Sequence, residues 1–367
     1  MKKSIYLLLV ILFTVACSSE PGYVVKGEIE GSDSIEFMLQ IRRDGQTVII
    51  DSAVSKKGSF TMKGGKIDYP QLAQLVAGET RKRIPFYLEN SKITIKGSLD
   101  SLFNAKITGS KTHDEYDSFV NSNTPLTDEY TKLISDYQAS KQSGDTARVA
   151  QIEKRAEEIQ KEMIENQKNF VRNNPSSYVS PSILAGVVND MQASEIESVI
   201  SKFDTAIANM PQVKAISERA KAMKAVEVGQ KAPDFTMNDV DGNPVTLYSK
   251  IGPKLLLVDF WAAWCQPCRL ENPNVVKVYQ EFNKKGFDVF GISLDQSKDA
   301  WVKAIADDKL TWTHVSDLQF WSNSAAKLYA VNSIPANFLL DETGTIIGRN
   351  LRAEDLYNKV NELLGKK

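Results

Sequence analysis

Val258-Asp259-Phe260-Trp261-Ala262-Ala263-Trp264-Cys265-Gln266-Pro267-Cys268-Arg269 is the stretch on which the fold and the chemistry of this chain turn. The apolar run 254–260 has the length and character of a buried central strand. A Cys-x-x-Cys follows it, at the expected start of a helix. A disulfide requires Cα atoms less than about 7 Å apart, and residues three apart on a helix meet that condition. A cysteine at a helix N-terminus also faces unpaired backbone N–H groups and the positive end of the helix dipole. Both stabilise a thiolate and draw the thiol pKa below its free value of about 8.5. Cys265 is therefore the candidate nucleophile. Cys268, one turn further in and less accessible, is the candidate that resolves a mixed disulfide. Pro267 suits a first helical turn, where a missing N–H costs little. Zinc binding and a purely structural bridge are the competing readings. One Cys-x-x-Cys supplies only two ligands, and the chain has two isolated histidines, His113 and His314. A four-residue loop staples little chain. No metal and no cofactor is expected.

Working outward, strands and helices alternate from Gly229 onward. Residues 273–285 read as a helix, 287–293 as a strand and 298–307 as a helix. Residues 336–341 and 345–350 read as paired strands around Glu342-Thr343-Gly344, and 353–364 as a closing helix. Residues 227–367 thus form an α/β domain. Upstream, residues 113–226 are helical. Val149, Ile152, Ala156, Ile159, Met163 and Phe170 recur at spacings of three and four or their sum, with Glu and Lys on the other face. Pro175 should stop that helix near Asn174. The stripe covers only about three heptads, which favours burial on its own domain over a coiled coil. Further helical stretches are expected at 182–210 and 212–226. Residues 23–112 read as a small all-β domain, with strands at 23–29, 34–41, 47–54, 59–62, 84–88 and 92–96. Asp44-Gly45, Lys57-Gly58 and Gly64-Gly65 punctuate them.

The chain starts with Met1-Lys2-Lys3 and then a run of 12 uncharged residues, 5–16. That is short for a membrane-spanning helix, which needs about 20 residues, and has the pattern of a signal peptide. Thr14-Val15-Ala16-Cys17 resembles a bacterial lipobox, with Thr14 where Leu is usual. The resemblance implies that residues 1–16 are a lipoprotein signal peptide, cleaved before a lipid-bearing Cys17. Residues 17–22 would then be the lipidated Cys17 and a tether, Ser18-Ser19-Glu20-Pro21-Gly22, whose five residues reach under about 18 Å. A plain secretory signal is the other reading. The chain has 367 residues, 25% charged and 42% hydrophobic, which are globular values. Lys plus Arg number 45 and Asp plus Glu 46, so no basic excess exists to neutralise phosphates, and nucleic acid is not an expected partner.

The Trp264-Cys265-Gln266-Pro267-Cys268 segment resembles the active site of the thioredoxin superfamily, which implies a thioredoxin-like fold at the C-terminus. Asp259, six residues before Cys265, matches the buried acid of thioredoxins. Such a carboxyl should have a raised pKa and accept the proton of the resolving thiol; an ordinary strand-end carboxylate is the plainer reading. Glu271, three residues after Cys268, matches a glutamate of the extracytoplasmic thioredoxin-like proteins related to TlpA and ResA, which are linked to cytochrome c maturation. A solvated first-turn helix residue is the alternative for it. Ile334-Pro335 stands where the superfamily carries a cis-proline facing the cysteines. The resemblance implies that Pro335 shapes a peptide groove, in which the Ile334 backbone pairs with an extended substrate. Trp264, Gln266 and Pro267 are the further candidates for substrate contact, whereas Trp261 is expected to pack inside. Gly229-Gln230-Lys231-Ala232-Pro233-Asp234-Phe235 looks like the opening of the redoxin branch shared with peroxiredoxins. Asp51-Ser52-Ala53, Gly58-Ser59-Phe60 and Phe86-Tyr87-Leu88-Glu89-Asn90 resemble the DUF4369-type domain often fused to such redoxins in Bacteroidota lipoproteins.

These features define the expected function: a membrane-anchored thiol–disulfide oxidoreductase of the cell envelope, facing the periplasm. Gln266-Pro267 lacks the intervening His of strongly oxidising relatives, so reduction of exported protein disulfides is the expected direction. Apocytochrome c is one such substrate, and a membrane thiol-reductant conduit would be the electron source. A peroxidase is the first alternative, although the stretch ahead of Cys265 lacks the Pro and Thr or Ser that peroxiredoxins carry. A redox-regulated binding module is the second.

Overall fold

A computed structural model describes residues 22–43, 46–80 and 82–365. The signal-like segment and the Cys17 assignment lie outside the described residues. The chain divides into two compact units, residues 1–186 and 187–367.

The first unit opens with β1 (Val24–Glu30), β2 (Glu36–Arg43), β3 (Gln46–Val54), β4 (Ser59–Lys63), β5 (Gln71–Ala77), β6 (Lys82–Leu88), β7 (Lys92–Ser98) and β8 (Lys106–Thr108). They form two four-stranded sheets, ordered β4-β1-β7-β8 and β3-β2-β5-β6. Alternate residues such as Val25, Phe37, Leu39, Leu75, Phe86 and Ile95 fill one core from both sheets. Phe37 stacks on Phe60 from the other sheet at 4.4 Å. Gly27 lies opposite Phe60, and a Cβ there would stand 2.0 Å from its ring. Two strands were not anticipated. β5 alternates small alanines with Leu and Gln, a weak strand signal, and β8 has three residues.

Three helices complete this unit: α1 (Lys111–Ser143), α2 (Thr146–Asn173) and α3 (Ser180–Val187). Ser110 caps α1 by accepting from the His113 amide, and Asp145 caps α2 through the Arg148 amide. Gly144, with φ +75°, closes α1 in the left-handed conformation. The α1–α2 hairpin buries Ile152 and Ile159 and pairs Phe119 with Phe170 at 4.8 Å. A bidentate Arg155–Glu129 pair, at 2.7 and 2.8 Å, bridges the two helices at the surface.

The second unit begins with α4 (Ala193–Ile200), α5 (Thr205–Ala208) and α6 (Pro211–Ala225). The helical stretch 113–226 is therefore shared between the units. Residues 182–210 are not one helix: they break at the Gln192–Glu195 capping box and again before α5. The hairpin β9 (Thr236–Asn238) and β10 (Pro244–Thr246) follows. Then come β11 (Leu255–Trp261), α7 (Gln266–Phe282), β12 (Phe287–Ser293), α8 (Lys298–Asp307), β13 (Thr313–Val315), α9 (Ser324–Leu328), β14 (Ala336–Asp341), β15 (Ile346–Arg349) and α10 (Ala353–Leu364). The sheet order is β13-β12-β11-β14-β15, with β11, β12 and β13 parallel and the last two antiparallel. This is a thioredoxin-like mixed sheet. Every residue of the central strand β11 is buried, as its unbroken apolar run requires.

One correction concerns the active-site helix. It starts at Gln266, and Pro273, taken above as its first residue, lies inside it. A proline removes one backbone hydrogen bond. The early turns are held instead by side chains: Arg269 and Asn272 both donate to Asp308 at the end of α8.

His314 on β13 is buried between Trp261 and Trp312, at ring separations of 5.5 and 5.7 Å. Gly291 lies beside it in register, and a Cβ there would come 2.4 Å from the imidazole. Burial pushes the His314 pKa down to about 3. A folded-state pKa below the unfolded value contributes stability above pH 6.5 that is lost as pH falls toward 3. At pH 4 the loss is about 3 kcal/mol. His314→Phe should remove this term, so that its urea midpoint relative to the parent rises between pH 7 and pH 4. Parallel midpoints at the two pH values would contradict the assignment.

Candidate active site

Cys265 is the N-cap of α7, and its Sγ accepts the Cys268 amide at 3.2 Å. The two sulfurs are joined in a disulfide, with Cα atoms 5.3 Å apart. Cys265 is 4% exposed and Cys268 1%, so the expected difference in access is small in the oxidised protein. Gln266 and Pro267, between them, are exposed.

Asp259 sits on β11 between Gly291 of β12 and Asn337 of β14. Burial, reinforced by the negative Glu271 and opposed by the Arg352 cation, pushes its pKa up to about 7. Glu271, one turn beyond Cys268, accepts from the Ala353 amide at 2.7 Å and from Asn274 at 3.1 Å. It is thus tied to the start of α10 and is not a freely solvated helix residue. The Ile334–Pro335 peptide is cis, and the Pro335 carbonyl accepts from the Arg352 guanidinium. Ile334 is half-buried against the core.

Trp264 is 46% exposed, and Trp261 is buried. Trp264 packs on Phe320 at 5.1 Å and on Trp321 at 6.0 Å, in the loop before α9. That loop is tied by Asp317, which accepts from the Gln319 and Ser324 amides and from Asn323. Trp264 also lines a cleft of about 530 Å³, with Arg269, Asp295, Ser297 and Lys303 among the other lining residues. The backbone just before Trp264 is clamped. Buried Asp295 accepts the Ala263 amide on both oxygens, at 2.9 and 3.2 Å, and the Ser293 hydroxyl at 2.7 Å. Arg269 donates to the Ala263 carbonyl at 3.4 Å.

Asp295, Arg352, Phe320 and Trp321 were not picked out from sequence. Adjacent aromatics in a polar loop were a signal for the last two; a lone Asp past a strand and a lone Arg before a helix are none. Among the described residues, no group of three or more His, Cys, Asp or Glu side chains could hold a metal ion. Nor is any helix there long and apolar enough to cross a membrane.

A bridge between two helix-start cysteines, at the end of a buried parallel strand and within a thioredoxin-like sheet, defines a thiol–disulfide oxidoreductase. The AhpC/TSA family model matches residues 228–349, and that of DUF4369, a domain of unknown function, residues 23–116. The thiol-disulfide oxidoreductase ResA of Geobacillus thermodenitrificans is 31% identical over 142 residues, covering 38% of this chain and 79% of that protein. ResA of Bacillus thuringiensis is 27% identical over 141 residues, with the same coverage. Among solved structures, the thioredoxin domain of a Bacteroides vulgatus thiol-disulfide oxidoreductase is similar at 38% identity and TM-score 0.36, covering 38% of this chain and 98% of that one. The chain belongs to the ResA-type thiol–disulfide oxidoreductases, and residues 228–349 are its AhpC/TSA-type domain.

Proposed function

We propose that this protein is a lipid-anchored oxidoreductase of the cell envelope that faces the periplasm and reduces disulfides in exported proteins, apocytochrome c among the candidates. The lipobox-like Thr14-Val15-Ala16-Cys17 supports the anchor and the compartment. The observation that carries the chemistry is a disulfide capping α7, together with a buried carboxyl, Asp259, on the strand that leads into that helix, its pKa pushed up to about 7.

In the reduced enzyme, Cys265 is the nucleophile. The α7 N-terminus holds its thiolate. It attacks one sulfur of the substrate disulfide; that bond breaks, and the first substrate sulfur leaves as a thiolate. Asp259, whose pKa burial pushes up to about 7, accepts the Cys268 proton in its ionised form. Cys268 then attacks the Cys265 sulfur and expels the second substrate thiolate. Two electrons have passed to the substrate, and the enzyme is left with the Cys265–Cys268 disulfide. A membrane thiol-reductant conduit would return two electrons to it. Trp264, Gln266, Pro267 and Ile334 would receive the substrate chain around the disulfide, with Phe320 and Trp321 extending the aromatic surface beside Trp264.

Insulin reduction in dithiothreitol tests this. The protein should shorten the lag before the freed insulin chains precipitate. No acceleration would refute the reductase. Rapid peroxide consumption that survives loss of Cys268 would point to the peroxidase instead.

A further inference from the structure

Three sets of hydrogen bonds converge on the turn between β15 and α10. Arg352 donates through Nη2 to the Pro335 carbonyl. The next amide, that of Ala353, donates to Glu271 Oε1 on α7, three residues beyond Cys268. Asn337, buried two residues past Pro335, grips the same turn from the sheet. Its Nδ2 donates to the Leu351 carbonyl at 2.7 Å, and its Oδ1 accepts the Leu351 amide at 2.9 Å. Its own carbonyl accepts the Asn350 amide at 2.8 Å. Asn350 and Ala353 sit at φ +52° and +43°. Non-glycine residues hold such angles only where their surroundings fix them. The turn is therefore a strut. One end braces the helix that carries both cysteines, and the other braces the loop that carries Pro335.

We propose that Arg352 is a positioning residue for disulfide exchange: its grip on the Pro335 carbonyl sets where a substrate chain lies relative to Cys265. The proposal rests on the reading of Cys265–Cys268 as an exchange couple. Arginine suits the task because its planar guanidinium is pre-organised for directed hydrogen bonds, whereas a lysine ammonium is a flexible point charge. Exchange requires the attacking sulfur in line with the substrate disulfide, and small displacements of a bound chain lower the rate steeply. A disulfide too small to span the loop does not use this alignment.

The test uses the full chain, a synthetic disulfide-bridged peptide and the small disulfide dithiobis-nitrobenzoate. Arg352→Met should raise KM for the peptide about tenfold, as expected for loss of one hydrogen bond from a charged group. The assays are run at pH 9, where Asp259 is ionised with or without the Arg352 cation beside it, so kcat, and the rate with the small disulfide, should stay within about twofold of the parent. Arg352→Lys, which keeps the charge and most of the stem, should show a smaller rise in KM with an unchanged unfolding midpoint. A parent-like peptide KM in Arg352→Met overturns the proposal. So does an equal loss on both substrates, which marks general damage. If Arg352→Met fails to fold, a parent-like KM in Arg352→Lys overturns it as well. A parent protein inactive on both disulfides would instead refute the exchange reading, and the role of Arg352 with it.

Discussion

Cys268→Ser should hold its substrates and fail to release them. The serine hydroxyl matches the thiol in size but is not ionised near neutral pH, so it cannot attack the mixed disulfide. Cys265 would keep its place as the α7 cap, because the amide it accepts belongs to the backbone of residue 268. The first half of the reaction should proceed and the second should stop. Turnover in the insulin assay should fall at least about a thousandfold, to background. Non-reducing gels of envelope extracts should show adducts on Cys265 that dithiothreitol dissolves. Cys265→Ser should show neither turnover nor adducts. If reduced Cys268→Ser collects no adduct from extracts or from a disulfide peptide, the order of attack assigned to the two cysteines is wrong.

Asp259→Asn should make the protein slower and, at alkaline pH, more stable. The rate effect follows from the proton that Cys268 must shed. Without an acceptor, resolution should slow about 10² to 10³-fold, the usual range for a lost general base. The rise in rate through pH 7 should flatten with it, because the parent needs the ionised carboxylate and loses it as pH falls. The stability effect follows from the same raised pKa. Between about pH 4 and pH 7 the folded protein holds a proton on Asp259 that the unfolded chain has released. Stability is therefore lost as pH rises through that window, by about 4 kcal/mol for a shift of about three units. An asparagine never ionises, but burying its amide costs about 1–3 kcal/mol. At pH 8 the variant should thus gain about 2 kcal/mol over the parent, and at pH 5 lose that gain. Denaturant unfolding at the two pH values decides it. An equal difference at both would mean that Asp259 does not titrate as its burial requires. His314 loses stability on acidification over an overlapping range. The parent should accordingly vary little between pH 4 and pH 6.5, and each single variant should uncover the slope of the other group.

What could be read from the chain alone follows from the range of the forces involved. Helix starts, buried strands and the Cys-x-x-Cys are local, and β11, β12, α8, β14 and α10 lie within a residue or two of expectation. Three-residue strands such as β9, β10 and β13 owe their existence to neighbours in space and carry almost no pattern of their own. Pro273 misled because proline favours helix starts; the true start is set by the Cys265 cap and by ties to Asp308, thirty-nine residues beyond Arg269. At the site, the motif residues are legible because exchange chemistry needs them at fixed spacing. Their supports are not. Asp295 behind Ala263, and Arg352 on the Pro335 carbonyl, act across folds of the chain that leave no spacing to detect.

The tryptophans have a practical consequence. All five, Trp261, Trp264, Trp301, Trp312 and Trp321, fall within residues 187–367. Three are buried in the redox domain, and two stand at its surface beside the disulfide. Indole emission from the intact chain is thus a private signal of the C-terminal half. A fluorescence melt would record the redox domain alone, whereas far-ultraviolet dichroism would also register the β domain and its long helical hairpin. Comparing the two curves tells whether the halves melt together, with no label attached and no domain cut away.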